Sequence, residues 1–395
     1  MLSYMNRIKN IRLSYFFIVI MISAIFLKSI FLDTSAGNYV LQIFLVVSIF
    51  YGLIAFKVNY NSYIRWQYIL FIVSMLLSSI ITLSISPLLL IFYLLIYYSH
   101  FFVWMIYLPN RSQLINNVFY FFAIVMALSG VYQFHFDPTI GGYSLYQYPE
   151  EITVTLRATG FIGSPQVLSF LMVAALFQTH MIQGFKYLIV TALFVYVGLL
   201  SGGGAFGGAL MMYSLAIIVY SKDRWKRLLF ASLGALVLLF IGLNSDNDLY
   251  MKDVAYLNAI KLGVSSHIPY YVDMFNNTEV TFFGNGLGSA NRLSEIYFGF
   301  QWLYPDLFIE KTESAWISIL HERGIFGVVG YLALIIASIY HGTRTNNKEE
   351  AWFNMIFMLY LMLNMLFTPV LTGFTGSFIG LYFILRPIFL RGSRF

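Results

Sequence analysis

Thr312–Tyr331, TESAWISILHERGIFGVVGY, decides how the chain is read. It is mostly apolar and long enough to enter a bilayer, for which a helix needs about 20 residues. Yet it carries Glu313, His321, Glu322 and Arg323. An ionisable group inside a membrane costs roughly 2.5 kcal/mol or more unless it is paired or faces water. On a straight helix advancing about 100° per residue, Glu313, Leu320 and Gly324 share one stripe. His321 and Arg323 flank that stripe, and Glu322 points the opposite way. The segment directly follows the longest polar loop of the chain, so loop and helix together are the candidate reaction site.

The rest of the composition fits that reading. Of 395 residues 59% are hydrophobic and 10% charged, with mean hydropathy +0.77. Soluble domains carry about 25% charged residues, so an all-α polytopic integral membrane protein is expected. The net charge of +6 is spread between apolar runs. Positive-inside bias accounts for it better than a nucleic-acid partner does. The absence of cysteine excludes disulfides, thiolate metal sites and cysteine nucleophiles. Six histidines argue against a histidine-based metal cluster, carboxylate sites stay open, and no motif asks for a metal or another cofactor. Aromatics at 19% fit either sugar stacking or a Phe-rich genome.

Arg7, Lys9 and Arg12 precede the apolar run Leu13–Phe31, which reads as a signal anchor. Sliding along the chain gives about twelve spans: 13–31, 39–56, 64–85, 87–108, 114–134, 164–183, 186–201, 204–220, 226–243, 313–340, 351–368 and 373–390. With both termini in the cytoplasm, 16 of the 23 basic residues fall on cytoplasmic connections and five on outward ones. Two outward loops are long, within a single membrane domain covering 1–395. One is 135–163. The other is 244–312, between the ninth and tenth spans, with eight of the 17 acidic residues. Their density of Tyr, Phe, Trp and Ile is unlike that of disordered sequence, so ordered extracytoplasmic loops are expected.

Within the large loop, Phe282–Arg292 reads FFGNGLGSANR, and Gly284 and Gly286 make a tight turn that either lets backbone approach a ligand or is purely structural. In the first loop, Arg157 is the only basic residue. It either pairs with Glu150 or Glu151 or binds an anionic group. Ser164-Pro165 is a helix cap. Gly203 and Gly207, four apart, permit close helix packing. His321, Glu322 and Arg323 either neutralise one another, reach other helices or face the site. Glu313, at a loop–helix junction, can be partly desolvated and so raised toward a useful general base.

These features together resemble the O-antigen polymerase and ligase superfamily of bacterial envelope glycosyltransferases. The resemblance rests on Arg157-x-x-Gly160 followed by Pro165, on Gly284-x-Gly286 ending a long loop, and on Glu313-Ser314 followed by nine residues and then Gly324-x-x-Gly327, with Leu320 and Glu322 in place. Three departures stand out. Glu313 holds the position of a ligase histidine, Ser201-Gly202-Gly203 lacks the arginine often seen there, and an arginine ahead of G-x-G falls near His267. They favour the polymerase branch.

The resemblance implies a GT-C-like fold in the bacterial inner membrane and an undecaprenyl-diphosphate-linked oligosaccharide as substrate. It also implies work alongside a chain-length regulator and a flippase. In this reading Glu313 is the base and Arg157 the diphosphate ligand. Arg292, His267, Lys261, Arg323, His321, Glu322, Gly284 and Gly286 serve substrate binding. The alternatives are a ligase to lipid A-core, and a transporter or flippase of lipid-linked sugars.

Overall fold

The computed structural model describes residues 2–26, 35–56, 66–85, 99–137, 139–140, 143–144, 146–147, 156–179, 185–201, 204–220, 225, 232, 281–287, 289–290, 314–344, 348–368, 371 and 374–390. Ten α-helices run through them. They are α1 (Leu2–Phe26), α2 (Ser35–Ala55), α3 (Trp66–Ile85), α4 (Ser99–His135), α5 (Pro165–Gln178), α6 (Phe185–Leu200), α7 (Gly204–Tyr220), α8 (Ala315–Gly342), α9 (Lys348–Phe367) and α10 (Phe374–Leu390). Each coincides with an apolar run of the sequence. The expected span 226–243 lies outside the described residues except at Ser232. Two helices, α4 and α8, are long and apolar enough to cross a membrane.

The expected fourth and fifth spans, 87–108 and 114–134, meet inside α4. Pro109 cannot supply the amide its turn needs, and the helix breaks at Arg111, with φ −144° and ψ 28°. Asn110 donates from Nδ2 to the Ile106 carbonyl at 2.9 Å, which satisfies one acceptor beside the break. The two expected spans are thus one broken helix over the described residues.

One exception to the all-helical expectation stands in the first loop. Thr139–Ile140 (β1) pairs antiparallel with Tyr143–Ser144 (β2), and Tyr146–Gln147 (β3) with Leu156–Arg157 (β4). In sequence only Gly141-Gly142 separates β1 from β2, the composition a two-residue hairpin requires.

The core is aromatic. Trp104 of α4 packs among Phe119, Phe378 and Tyr382, and its indole N–H donates to the Phe378 carbonyl at 2.9 Å. Phe119 and Tyr382 stack with ring centres 4.3 Å apart. These contacts fasten α10 to α4. On the other side α8 lies along α3, with Tyr331 edge-on to Phe71 at 5.0 Å. The approach is close because residue 330 is glycine: a Cβ there would sit 3.1 Å from the Phe71 Cα. Large apolar side chains such as Phe50, Ile54, Ile80, Phe121 and Met211 remain more than half exposed on outer faces.

Candidate functional site

The helix that carries the ionisable cluster is not straight. Ser314 caps it in extended conformation, its Oγ accepting from Ile317 N–H, so the helical advance begins at Ala315. Nine residues further on, Gly324 leaves the helix at φ 64° and ψ −163°. The straight helix assumed for the stripe from Glu313 to Gly324 thus starts only at Ala315 and ends at Gly324. Glu313 itself lies outside the described residues, as do Arg292, His267 and Lys261.

A break inside an apolar helix exposes backbone groups that lipid cannot satisfy. In an unbroken α8 the amides of Ile325 and Phe326 would donate to the carbonyls of His321 and Glu322, four residues back. Here the segment 281–287 exchanges both bonds. Asn285 and Gly286 N–H donate to the His321 and Glu322 carbonyls at 2.8 and 3.2 Å, while Ile325 and Phe326 N–H donate to the Thr281 and Phe282 carbonyls at 3.0 and 3.2 Å. These two amides and two carbonyls thus find their partners on one short strap.

Two glycines make the exchange sterically possible. Gly284 has φ 78°, and a Cβ on it would fall 2.3 Å from the Glu322 carbonyl oxygen. A Cβ on Gly324 would fall 2.4 Å from the Phe282 oxygen. Both positions demand the left-handed region and near-contact of two backbones, which only glycine allows. The Gly-x-Gly turn does let backbone approach closely, but what approaches is α8 itself.

Helix α3 completes the joint. Ser78 donates from Oγ to the Glu322 carbonyl at 2.6 Å. Four residues on, Thr82 Oγ1 accepts from Leu287 N–H, also at 2.6 Å. Thr281 Oγ1 accepts from Gly284 N–H at 2.8 Å, and Ser289 Oγ donates to the Gly286 carbonyl at 2.8 Å. Asn285, the middle residue of Gly-x-Gly, places its Nδ2 3.2 Å from Nδ1 of His321.

His321, Glu322 and Arg323 are all buried, at 3, 1 and 2% exposure. Glu322 is thus enclosed like its two neighbours. The strap and α3 cover the break on the side of these three residues, while Ile325, Phe282 and Phe283 stay exposed beside it. Arg323 places its guanidinium 5.3 Å from the centre of the Tyr331 ring, a cation–π contact inside the core. Gly327 lies beneath it: a Cβ at 327 would fall 2.3 Å from the Arg323 Cβ. The structure thus joins Gly284, Gly286, His321, Glu322 and Gly324 directly, with Arg323 and Gly327 alongside.

Arg157 belongs to a second joint. It is half-buried on β4, and the residues after it are held by α4 and α6. Ala158 N–H donates to the Leu200 carbonyl at 2.9 Å. Gln133 Oε1 accepts from the amides of Thr159 and Gly160 at 2.7 and 2.8 Å, while its Nε2 donates to Thr159 Oγ1 at 2.9 Å. Ser129 Oγ accepts from Phe161 N–H at 3.1 Å. The chain then enters α5 through the expected cap, Ser164 Oγ accepting from Val167 N–H with Pro165 at the first turn.

Sequence reading missed Gln133, Ser78 and Thr82. Each is a polar residue inside an apolar helix, a signal that always asks for a partner. Among the described residues no group of three or more His, Cys, Asp or Glu side chains could hold a metal ion. No protein-family model matches the chain, and no curated protein matches it.

Proposed function

We propose that the chain is a polytopic enzyme of the bacterial inner membrane, with about twelve spans and both termini cytoplasmic. It is an O-antigen polymerase, moving a growing glycan from undecaprenyl diphosphate onto an incoming lipid-linked repeat unit at the periplasmic face. The observation that supports this reading is the strap. Gly284-x-Gly286 and Gly324-x-x-Gly327, whose first glycines lie 40 positions apart, form one hydrogen-bonded unit. Both belong to the motif set on which the family resemblance rests. The third motif, Arg157 to Pro165, is likewise built into one joint.

In the proposed reaction Glu313 takes the proton from the acceptor sugar hydroxyl. The freed oxygen attacks the anomeric carbon of the donor, and the bond from that carbon to the diphosphate oxygen breaks. Arg157 receives the departing diphosphate, since a guanidinium offers paired donors to phosphate oxygens. Arg292, Lys261 and His267 are further candidates for holding the substrate. His321, Glu322 and Arg323 are buried where the strap meets α8, and Ser314, next to Glu313, bonds from Oγ to the Met365 carbonyl at 3.2 Å. That bond fixes the start of α8, at Ser314, against α9.

The broken helix also bears on the transporter alternative. Transporters leave the ends of discontinuous helices open toward ions or substrate. Here the two amides and two carbonyls freed at Gly324 are taken by the strap.

Purified protein supplied with lipid-linked repeat units tests the proposal. A ladder of lengthening glycan is the expected product, and Glu313→Gln should abolish it while the protein stays in the membrane. Transfer only to lipid A-core would replace the polymerase with the ligase. Absence of any glycan product would leave the transporter.

A further inference from the structure

The strap docks deep along α8. A helix of 28 residues is about 42 Å long, and Gly324, nine residues from Ala315, lies about 14 Å from its start. A bilayer is about 40–45 Å thick, of which about 30 Å is hydrocarbon, so a break at that depth falls inside the apolar layer. Beyond the break α8 presents an exposed stripe of Ile325, Val329, Ile336 and Tyr340, four, eleven and fifteen residues from the first. Phe282 and Phe283 extend it. They are 64% and 46% exposed, and Phe283 lies flat on Phe326 with ring centres 5.7 Å apart. The segment 281–287, TFFGNGL, has no charged side chain. Its backbone bonds are taken up by α8 and α3, the condition under which irregular chain survives at membrane depth.

We infer that this strap is a re-entrant segment, dipping beside α8 into the bilayer, and that Phe282 and Phe283 are a lipid-contact surface packed against acyl chains. The occupant is hydrocarbon because the face continues the apolar stripe of α8 and offers no charge to a protein or sugar partner. The inference rests on the reading that α8 spans a membrane, but not on the glycosyltransferase reaction.

The chain has no cysteine, so single labels are unambiguous. A nitroxide is attached at Phe283→Cys in vesicle-reconstituted protein, and its collisions with oxygen and with a water-soluble nickel chelate are compared. Ile336→Cys is the lipid reference, and exposed Thr343→Cys, at the end of α8, is the water reference. Position 283 should behave like 336, with nickel collisions about tenfold below those at 343, because polar solutes partition poorly into hydrocarbon. Phe282→Cys repeats the measurement should the first variant misfold. Adding Gly324→Ala, which expels the strap, should raise the nickel collisions at 283 toward those at 343. A wet label at 283 or 282 beside a dry one at 336 overturns the inference alone. A wet label at 336 overturns the membrane span and the inference with it.

Discussion

The two joints hold loop to helix by different chemistry. At Gly324 backbone holds backbone: four amide–carbonyl bonds replace two helical ones, and side chains matter chiefly where their absence, at Gly284 and Gly324, lets the chains touch. At Arg157 one side chain does most of the holding, since Gln133 reaches two amides and a hydroxyl through a single amide group. The first arrangement tolerates change in most of its side chains but not the addition of a single methyl. The second depends on one residue and tolerates little at it. The comparison can be broken from either side.

The largest effect is expected at the glycines. Gly324→Ala must carry a side chain at φ 64° and drive a carbon into the Phe282 carbonyl. Backbone strain costs about 1–3 kcal/mol and overpacking about as much again. The strap should leave, α8 should close into a continuous helix, and proteolysis or hydrogen exchange across 281–287 should rise sharply. Gly284→Ala should do the same from the opposite side. Native-like protection of the strap in both variants would show that the backbone exchange does not hold it.

Gln133→Leu comes next. It keeps the bulk but leaves the buried amides of Thr159 and Gly160 without their acceptor, at about 1–3 kcal/mol for each stranded group. The expected result is a lowered melting temperature in detergent and exposure of the segment around Arg157, with the strap still protected. Gln133→Glu keeps the Oε1 acceptor and should lose less. Equal losses in the two variants would mean that the acceptor is not what Gln133 provides.

The difference between the joints also explains what could be read in advance. Helices α2, α3, α5, α7, α9 and α10 follow their apolar runs closely, because hydrophobic length is a local property of the chain. The Gly-x-Gly and Gly-x-x-Gly letters were visible as motifs, since a required glycine leaves a mark. Their pairing was not, because a backbone hydrogen bond has no residue type and Asn285 lies 36 positions from His321. Nor was the break in α8: Gly324 in an apolar run reads as an ordinary packing glycine until its φ is known. Gln133 drew no notice because a lone Gln in FYFFAIVMALSGVYQF resembles a tolerated polar residue.

Ser78 sharpens the comparison at smaller scale. Its hydroxyl is a second donor to the Glu322 carbonyl, which already accepts from Gly286. Ser78→Ala should therefore cost about 0.5–1.5 kcal/mol, the worth of one ordinary hydrogen bond. The strap should stay docked. Full release of the strap in this variant would shift the holding role from the backbone to α3.

The smallest effect, and the only one of opposite sign, is expected on α7. Gly203 lies outside the described residues, and a Cβ on Gly207 would meet nothing within 4 Å, so the close packing expected for that glycine pair is not what position 207 does. The tight contact falls one residue earlier. Phe206 is fully buried, and its ring lies 2.0 Å from where a Cβ on Gly198 would be. The glycine that admits a neighbour is thus on α6, and Gly207 only loosens its own helix. Gly207→Ala should then stabilise α7 by about 0.5–1 kcal/mol through helix propensity, read as a small rise in melting temperature. Gly198→Ala should do the reverse, because the Phe206 ring has to move. Destabilisation by Gly207→Ala would mean that its open side is a packing surface after all, and would set a second glycine-dependent contact beside the one at Gly324.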